Sequence, residues 1–108
     1  MGDVRRDIGA AGERVAVGFL VRYGVDIERR NVTVGRGEID LIGSIGRTRL
    51  LVEVRSRISD HAPIESFDHD KRQQLWRLSR EVGIDRVDLV AVGFGRRFVA
   101  VHWIPAAL

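Results

Sequence analysis

Residues 37–57, GEIDLIGSIGRTRLLVEVRSR, place acidic side chains within two otherwise aliphatic segments. The three acids are Glu38, Asp40 and Glu53. Acidic residues are normally depleted in strands that build a core, so their presence here needs a physical reason. Gly46 and Arg47 separate the two segments, and glycine at the first central position suits a two-residue type II′ turn. The stretch therefore predicts a β-hairpin with strands over 38–45 and 48–57.

The register of this hairpin separates apolar from charged side chains. It places Asp40 opposite Glu53 and Glu38 opposite Arg55, so that these four side chains share one face. The apolar face is predicted to contain Ile39, Leu41, Leu50, Val52 and Val54. Directly opposed carboxylates are unfavourable unless a proton or a cation lies between them. Two carboxylates suit Mg²⁺, which completes its coordination shell with water and substrate phosphate.

A second interpretation of the same acids requires no metal. In a surface ion-pair ladder, Glu38 pairs with Arg55, and Asp40 pairs with Arg55 or Arg57, across the strands. The pattern alone leaves both interpretations open. Both also depend on the assumed turn, because a one-residue slip would move one carboxylate to the opposite face.

The remaining sequence predicts two helices and three further strands. The helices are expected over 7–23 and 69–82, the strands over 25–34, 86–93 and 97–104, and a loop over 58–68. The resulting order, α-β-β-β-α-β-β, is typical of an α/β domain with a mixed central sheet flanked by helices. Glu13 lies at the edge of the apolar stripe of the first helix, where it faces either a cleft or solvent. Lys71 lies on the same face of the second helix as Leu75.

Composition limits the class of protein. A chain of 108 residues, 44% hydrophobic and 31% charged, is expected to form one domain over 1–108. It contains no cysteine, which excludes disulfides and thiolate metal sites. It contains no apolar run of about 20 residues and no signal-peptide pattern, so we expect no membrane association and a cytoplasmic location. Lys71 is the only lysine among 18 basic residues, and arginine pairs well with phosphate, although codon composition would also explain this bias.

The segments GEIDLI and LLVEVRSR resemble the motif core of the PD-(D/E)xK nuclease superfamily, whose fold is restriction-endonuclease-like. More narrowly, the chain resembles the YraN-like family of small bacterial proteins, which is related to the archaeal Holliday-junction resolvases. The opening segment GAAGERVAVGFLVRYGVDIERRN is similar to the first helix and strand of that family. The resemblance extends over about residues 9–92.

This resemblance implies roles for individual residues. Asp40 and Glu53 would be the ligands of Mg²⁺ or Mn²⁺, and Glu13 would support the metal or its waters. The chain departs from the family pattern at Arg55, which stands where the family has lysine. Arginine stays protonated and cannot act as a general base, but it can hold a scissile phosphate. The catalytic candidates are Glu13, Asp40, Glu53 and Arg55, and the candidates for nucleic-acid contact are Arg36, Arg47, Arg49, Arg57 and Lys71.

Three functions remain open at this point. The first is a metal-dependent endonuclease that hydrolyses DNA phosphodiesters, in branched or structured DNA. The second is a catalytically weak or inactive binding module with the same fold, which Arg55 favours. The third is a basic protein-interaction domain without affinity for DNA. A homodimer is favoured because most soluble oligomers are symmetric and nucleases that cut two strands commonly act as pairs.

Overall fold

The structure is a computed structural model that describes residues 4–61 and 67–108; part of the predicted 58–68 loop lies outside the described residues. The elements are α1 (Val4–Arg22), β1 (Asp26–Val34), β2 (Gly37–Ile45), β3 (Thr48–Ile58), α2 (His69–Val82), β4 (Arg86–Phe94) and β5 (Val99–Ile104). This order confirms the predicted α/β arrangement. Among the described residues, neither helix has the length and apolar character needed to cross a membrane.

The five strands form one mixed sheet in the order β1-β2-β3-β4-β5. All neighbours are antiparallel except β3 and β4, which run parallel and are connected through α2, as a parallel pair requires. The last two strands therefore complete this sheet within the same chain.

Both faces of the sheet are covered by a helix. On one face, Ala16 and Leu20 of α1 pack against apolar side chains of β2, β3 and β4. On the other face, Leu75 and Leu78 of α2 pack against a second cluster that includes Leu51. The middle of the hairpin is therefore buried on both sides, which explains its nearly continuous aliphatic sequence.

The β2–β3 register agrees with the predicted turn, but only over part of the hairpin. Five pairs form between Ile45↔Thr48 and Leu41↔Val52, and the ladder ends there. The predicted pairing of Asp40 with Glu53 across the ladder is not formed. Instead, the Asp40 carboxylate accepts a hydrogen bond from the backbone N–H of Val54, at 2.8 Å. A side chain thus replaces the backbone acceptor, and the two strands diverge.

The divergence also corrects the predicted apolar face. Ile39 packs in the cluster of Ile42 and α2, whereas Leu41 packs in the cluster of α1. Alternation is therefore broken at Asp40, the residue between Ile39 and Leu41. β1 is also irregular opposite Asp40, where Asn31 has a φ of 51°.

A buried carboxylate that the sequence analysis did not identify connects the C-terminal segment to the sheet. Asp88 of β4 is 0% exposed. It accepts two hydrogen bonds from Arg86, at 2.9 and 3.0 Å, and one each from Trp103 Nε1 and the Ala106 N–H, both at 2.9 Å. One side chain thus satisfies all of these donors.

Close packing at Gly12 determines where α1 lies on the sheet. A Cβ atom added at this position would overlap the Ser56 side chain of β3. Gly18, further along the same helix, has open space around it. Only glycine therefore lets the helix approach β3 this closely, and Glu13 takes its position from that approach.

We expect Asp88→Ala to lower the free energy of unfolding by about 3 kcal/mol, because it leaves the partly buried Arg86 guanidinium and two other donors without their acceptor. Urea denaturation followed by tryptophan fluorescence measures this change. The matched control is Asp85→Ala at an exposed neighbouring position, with an expected change within about 0.5 kcal/mol. Equal effects of the two substitutions would show that the Asp88 network does not stabilise the fold.

Gly12→Ala and Gly18→Ala are expected to have opposite effects on stability. The first should lower the free energy of unfolding by about 1–3 kcal/mol, because the new methyl group forces α1 away from β3. The second should raise it by about 0.5–1 kcal/mol, because alanine is the better helix former. Thermal denaturation followed by circular dichroism compares them. Stabilisation by both substitutions would contradict the described packing.

Candidate active site

The candidate active site lies where β2 and β3 diverge, and five elements contribute to it. The contributing residues are Glu13 from α1, Asn31 from β1, Glu38 and Asp40 from β2, Glu53 and Arg55 from β3, and Lys71 from α2. The structure therefore brings together all four residues that the resemblance implied as catalytic. Beside them it places Glu38, the predicted nucleic-acid contact Lys71, and Asn31, which was not predicted.

Asp40 is fixed by its hydrogen bond from Val54 N–H. Burial raises the pKa of Asp40, and the nearby charge of Glu38 raises it further. The Val54 hydrogen bond and the cations Lys71 and Arg55 lower the pKa but do not cancel the effect of burial. This carboxylate therefore lies in a place that disfavours its own negative charge, as is common for groups that bind a cation.

Glu53 is 7% exposed and lies beside two cations. Its Oε1 is 3.2 Å from Lys71 Nζ and 3.8 Å from Arg55 Nε. Burial raises the pKa of Glu53, the charge of Asp40 raises it further, and Lys71 and Arg55 oppose this rise. The effect of Asp40 shows that the two carboxylates interact although they are not paired in the ladder.

Glu13 reaches the site from the helix side of the sheet. The Asn31 amide nitrogen, in the orientation that satisfies its neighbours, donates to Glu13 Oε1 at 2.9 Å and to Glu38 Oε1 at 3.2 Å. Burial raises the pKa of Glu13, and the negative charges of Asp40 and Glu38 raise it further. The positive charge of Arg30 lowers it. Of the two predicted environments for Glu13, a cleft or solvent, the structure shows the cleft.

The cleft between α1 and the diverging strands has a volume of about 280 Å³. Its lining residues are Arg6, Gly9, Ala10, Glu13, Asn31, Glu38, Asp40 and Val54. The small side chains of Gly9 and Ala10 thus leave space beside the carboxylates of Glu13, Glu38 and Asp40. Asn31 was not predicted as a site residue. Two signals were available in the sequence: Asn31 ends the opening segment that resembles the family, and asparagine tolerates positive φ.

The donor set is compatible with a hard divalent cation. Within residues 4–61 and 67–108, no three acidic or histidine side chains converge into a complete set of metal ligands. Mg²⁺ does not require one, since one or two carboxylates with water and phosphate commonly hold it. Asp40 and Glu53 provide two carboxylates whose pKa values are raised by burial, and a cation would relieve the cost of their charges.

The predicted nucleic-acid arginines divide into two groups. Arg36, in the β1–β2 turn, and Arg57, near the end of β3, lie at the end of the hairpin that carries the site. Arg49 pairs with Ser44, four residues from Asp40 along β2, which is roughly 13 Å, and Arg47 lies further away in the turn. Arg49 is also paired with Glu28 at 3.0 Å. The structure therefore does not bring Arg47 or Arg49 to the site.

Comparison with solved structures identifies a protein of similar fold. The chain matches Hjc of Archaeoglobus fulgidus, a Holliday junction resolvase from an archaeal hyperthermophile, with a TM-score of 0.59 and 22% sequence identity. The match covers 90% of this chain and 76% of that chain. This likeness confirms the predicted fold.

Comparison with curated sequences identifies relatives of similar length. The UPF0102 protein of Anaeromyxobacter dehalogenans is 36% identical, over 98% of this chain and 87% of its own. The UPF0102 protein of Mannheimia succiniciproducens is 34% identical, over 96% of each chain. The model of the uncharacterised protein family UPF0102 matches residues 12–92, which include every residue of the candidate site. The chain belongs to the UPF0102 family.

Proposed function

We propose that this protein is a divalent-metal-dependent nuclease that hydrolyses DNA phosphodiesters. One observation carries the proposal: two interacting carboxylates, Asp40 and Glu53, lie where β2 and β3 diverge, with the cations Arg55 and Lys71 beside Glu53. Carboxylates that can hold a metal, together with cations that can hold a phosphate, are typical of sites that hydrolyse phosphodiesters.

In this proposal, Asp40 and Glu53 would hold Mg²⁺ or Mn²⁺, and the metal would supply an activated water and neutralise charge on the phosphate. Glu13 and Asn31 form the wall of the cleft on the side of Asp40 and orient the waters there. Lys71 donates hydrogen bonds with its ammonium, and Arg55 presents a guanidinium that suits a phosphate oxygen.

Two observations support DNA as the substrate. The likeness to a Holliday junction resolvase associates the fold with hydrolysis of branched DNA. The exposed residues Arg36 and Arg57 lie at the site end of the hairpin, where they would contact the phosphate backbone without reading sequence. The expected homodimer, the single domain over 1–108 and the cytoplasmic location stay predictions beside this proposal.

The second candidate function is DNA binding with little or no cleavage. Arg55 favours it, because a guanidinium does not release its proton and so cannot serve as the base that a lysine could provide at this position. Lys71 approaches Glu53 from α2 and restores a lysine to the site, although from a different element. The choice between the two functions depends on whether Lys71 and Arg55 together are sufficient for DNA cleavage.

Cleavage of labelled plasmid and four-way-junction DNA with Mg²⁺ or Mn²⁺ tests the nuclease proposal. We expect metal-dependent cutting that EDTA abolishes and that Asp40→Asn reduces roughly 100-fold or more. The amide oxygen of the substituted side chain would still accept the Val54 hydrogen bond, so the fold should survive. Asp26→Asn, an exposed acid at the other end of the sheet, is the matched control and should cut like the natural protein.

Two other outcomes would reject the nuclease proposal in favour of its alternatives. If only Arg55→Lys cuts DNA, the natural protein is a binding module on a nuclease scaffold. If no variant cuts and no binding occurs even at low salt, the basic protein-interaction domain is the better description.

Metal binding should also change the pH dependence of stability. Because the pKa values of Glu13, Asp40 and Glu53 are raised, the folded protein binds more protons than the unfolded chain between the ordinary and raised values. The free energy of unfolding without metal should therefore fall as pH rises through this window. At neutral pH, Mg²⁺ at about ten times its Kd should restore about 1.4 kcal/mol.

Thermal denaturation across pH, with and without Mg²⁺, measures this effect. Asp40→Asn should show a shallower fall with pH and a smaller response to Mg²⁺, whereas Asp26→Asn should behave like the natural protein. An equal response to Mg²⁺ in Asp40→Asn and in the natural protein would place the cation elsewhere.

A further inference from the structure

The turn between β4 and β5, residues 95–98 with the sequence GRRF, lies at the same end of the sheet as the candidate site. β3 and β4 are parallel, so their carboxyl ends meet at one edge. The pair Ile58↔Phe94 lies three residues beyond Arg55↔Ala91, which is roughly 10 Å along the strands. That distance corresponds to about three nucleotide steps of a DNA strand.

The turn is held in one conformation by contacts to its surroundings. Gly95 N–H donates to the Phe98 carbonyl at 3.0 Å, which closes the turn. Asp60, two residues after the end of β3, accepts a hydrogen bond from Arg96 N–H at 3.2 Å. A Cβ atom at Gly95 would lie 3.0 Å from the Phe98 carbonyl oxygen and 3.1 Å from Asp60. The position of Phe98 is thus fixed by the end of β3.

This turn presents an aromatic ring and two cations to solvent. Phe98 is 61% exposed, and Arg96 and Arg97, which precede it in the turn, are exposed as well. Within residues 4–61 and 67–108, no carboxylate lies within ion-pair distance of the side chain of Arg96 or Arg97. An aromatic ring beside guanidinium groups fits a nucleic acid, because bases stack on the ring and phosphates pair with the cations.

We propose that the β4–β5 turn recognises an unstacked base about three nucleotides from the scissile phosphate, with Phe98 stacking on the base and Arg96 and Arg97 contacting the backbone. The proposal rests on the proposed function and specifies its substrate class. In a continuous duplex the faces of the bases are covered by their neighbours. A free face exists at a gap, a flap or a junction, so the turn would favour DNA with such a discontinuity.

Charge argues against a second copy of the chain as the occupant of this surface. A two-fold contact centred on Phe98 would bring Arg96 and Arg97 of both copies together. Four guanidinium groups of like charge oppose such a contact, whereas the same groups favour a polyanion. A nucleic acid is therefore the partner that both the ring and the charges fit.

Fluorescence anisotropy in EDTA, which prevents cleavage, tests the proposal with two labelled DNAs. One is a duplex with a single-nucleotide gap, and the other is the continuous duplex of the same sequence. Phe98→Ala should bind the gapped DNA about 10-fold more weakly, the loss typical of one aromatic stack, and the continuous duplex nearly unchanged. Phe98→Trp should retain the preference for the gap.

Tyr23→Ala is the matched control for the ring, because Tyr23 is 59% exposed and follows α1, away from the turn. It should leave both affinities unchanged. The double substitution Arg96→Ala and Arg97→Ala should weaken the binding of both DNAs. It should also lower the slope of log affinity against log salt concentration by about two. Arg22→Ala, at an exposed arginine at the end of α1, should leave both the affinities and their salt dependence unchanged. Circular dichroism melts confirm that each variant folds.

Three outcomes would overturn the proposal. If the natural protein binds DNA and Phe98→Ala keeps the full preference for the gap, this inference fails while the proposed function stands. If Phe98→Ala leaves DNA binding unchanged but lowers the mass measured by light scattering, the turn is an interface between copies. If the natural protein binds neither DNA, both this inference and the proposed function fail.

Discussion

The hydrogen bond from Val54 N–H to the Asp40 carboxylate is the contact on which the candidate site depends. A backbone N–H inside a sheet requires an acceptor, and here a side chain replaces the carbonyl of the neighbouring strand. The β2–β3 ladder therefore ends at Leu41↔Val52 without leaving the Val54 donor unsatisfied. Beyond that pair the strands are free to diverge, and the space between them becomes the site.

The charges at this divergence disfavour one another. Burial raises the pKa values of Asp40, Glu53 and Glu13, and the Asp40 charge raises the latter two further. Lys71 and Arg55 offset part of this cost for Asp40 and Glu53. The unfavourable free energy of these buried charges is offset by the apolar packing of α1 and α2 against the two faces of the sheet. Buried carboxylates with raised pKa values are typical of sites that bind a ligand rather than of contacts that stabilise a fold.

The sequence predicted the features that depend on local pattern. Aliphatic periodicity predicted the order of helices and strands, and the Gly46-Arg47 turn predicted the register that the pairs from Ile45↔Thr48 to Leu41↔Val52 follow. It did not predict where the ladder ends, because that depends on Asp40 competing as an acceptor for a donor on another strand. Ile39 was assigned to the wrong cluster for the same reason.

Features that depend on contacts between distant segments were also missed. In the sequence Asp88 is simply an acid in an apolar strand, and its four donors come partly from the segment around 103–106. Asn31 has the pattern of a turn residue, and only the fold shows that it joins Glu13 of α1 to Glu38 of β2. Spacing along the chain gives no signal for either contact.

The topology of the sheet explains how Lys71 reaches the site. Because β3 runs parallel to β4, the chain leaves β3 at the site end and must enter α2 before it returns. Asp68 caps α2 by accepting from Lys71 N–H at 2.8 Å, which fixes Lys71 in the first turn of that helix. Its ammonium then lies 3.2 Å from Glu53. Lys71 lies in the first turn of α2, the end at which the helix dipole favours an anion. Since Arg55 also stands beside Glu53, a phosphate arriving at this carboxylate would meet cations from both β3 and α2. The lysine absent from β3 is thus partly replaced by one that the crossover connection brings to the same carboxylate.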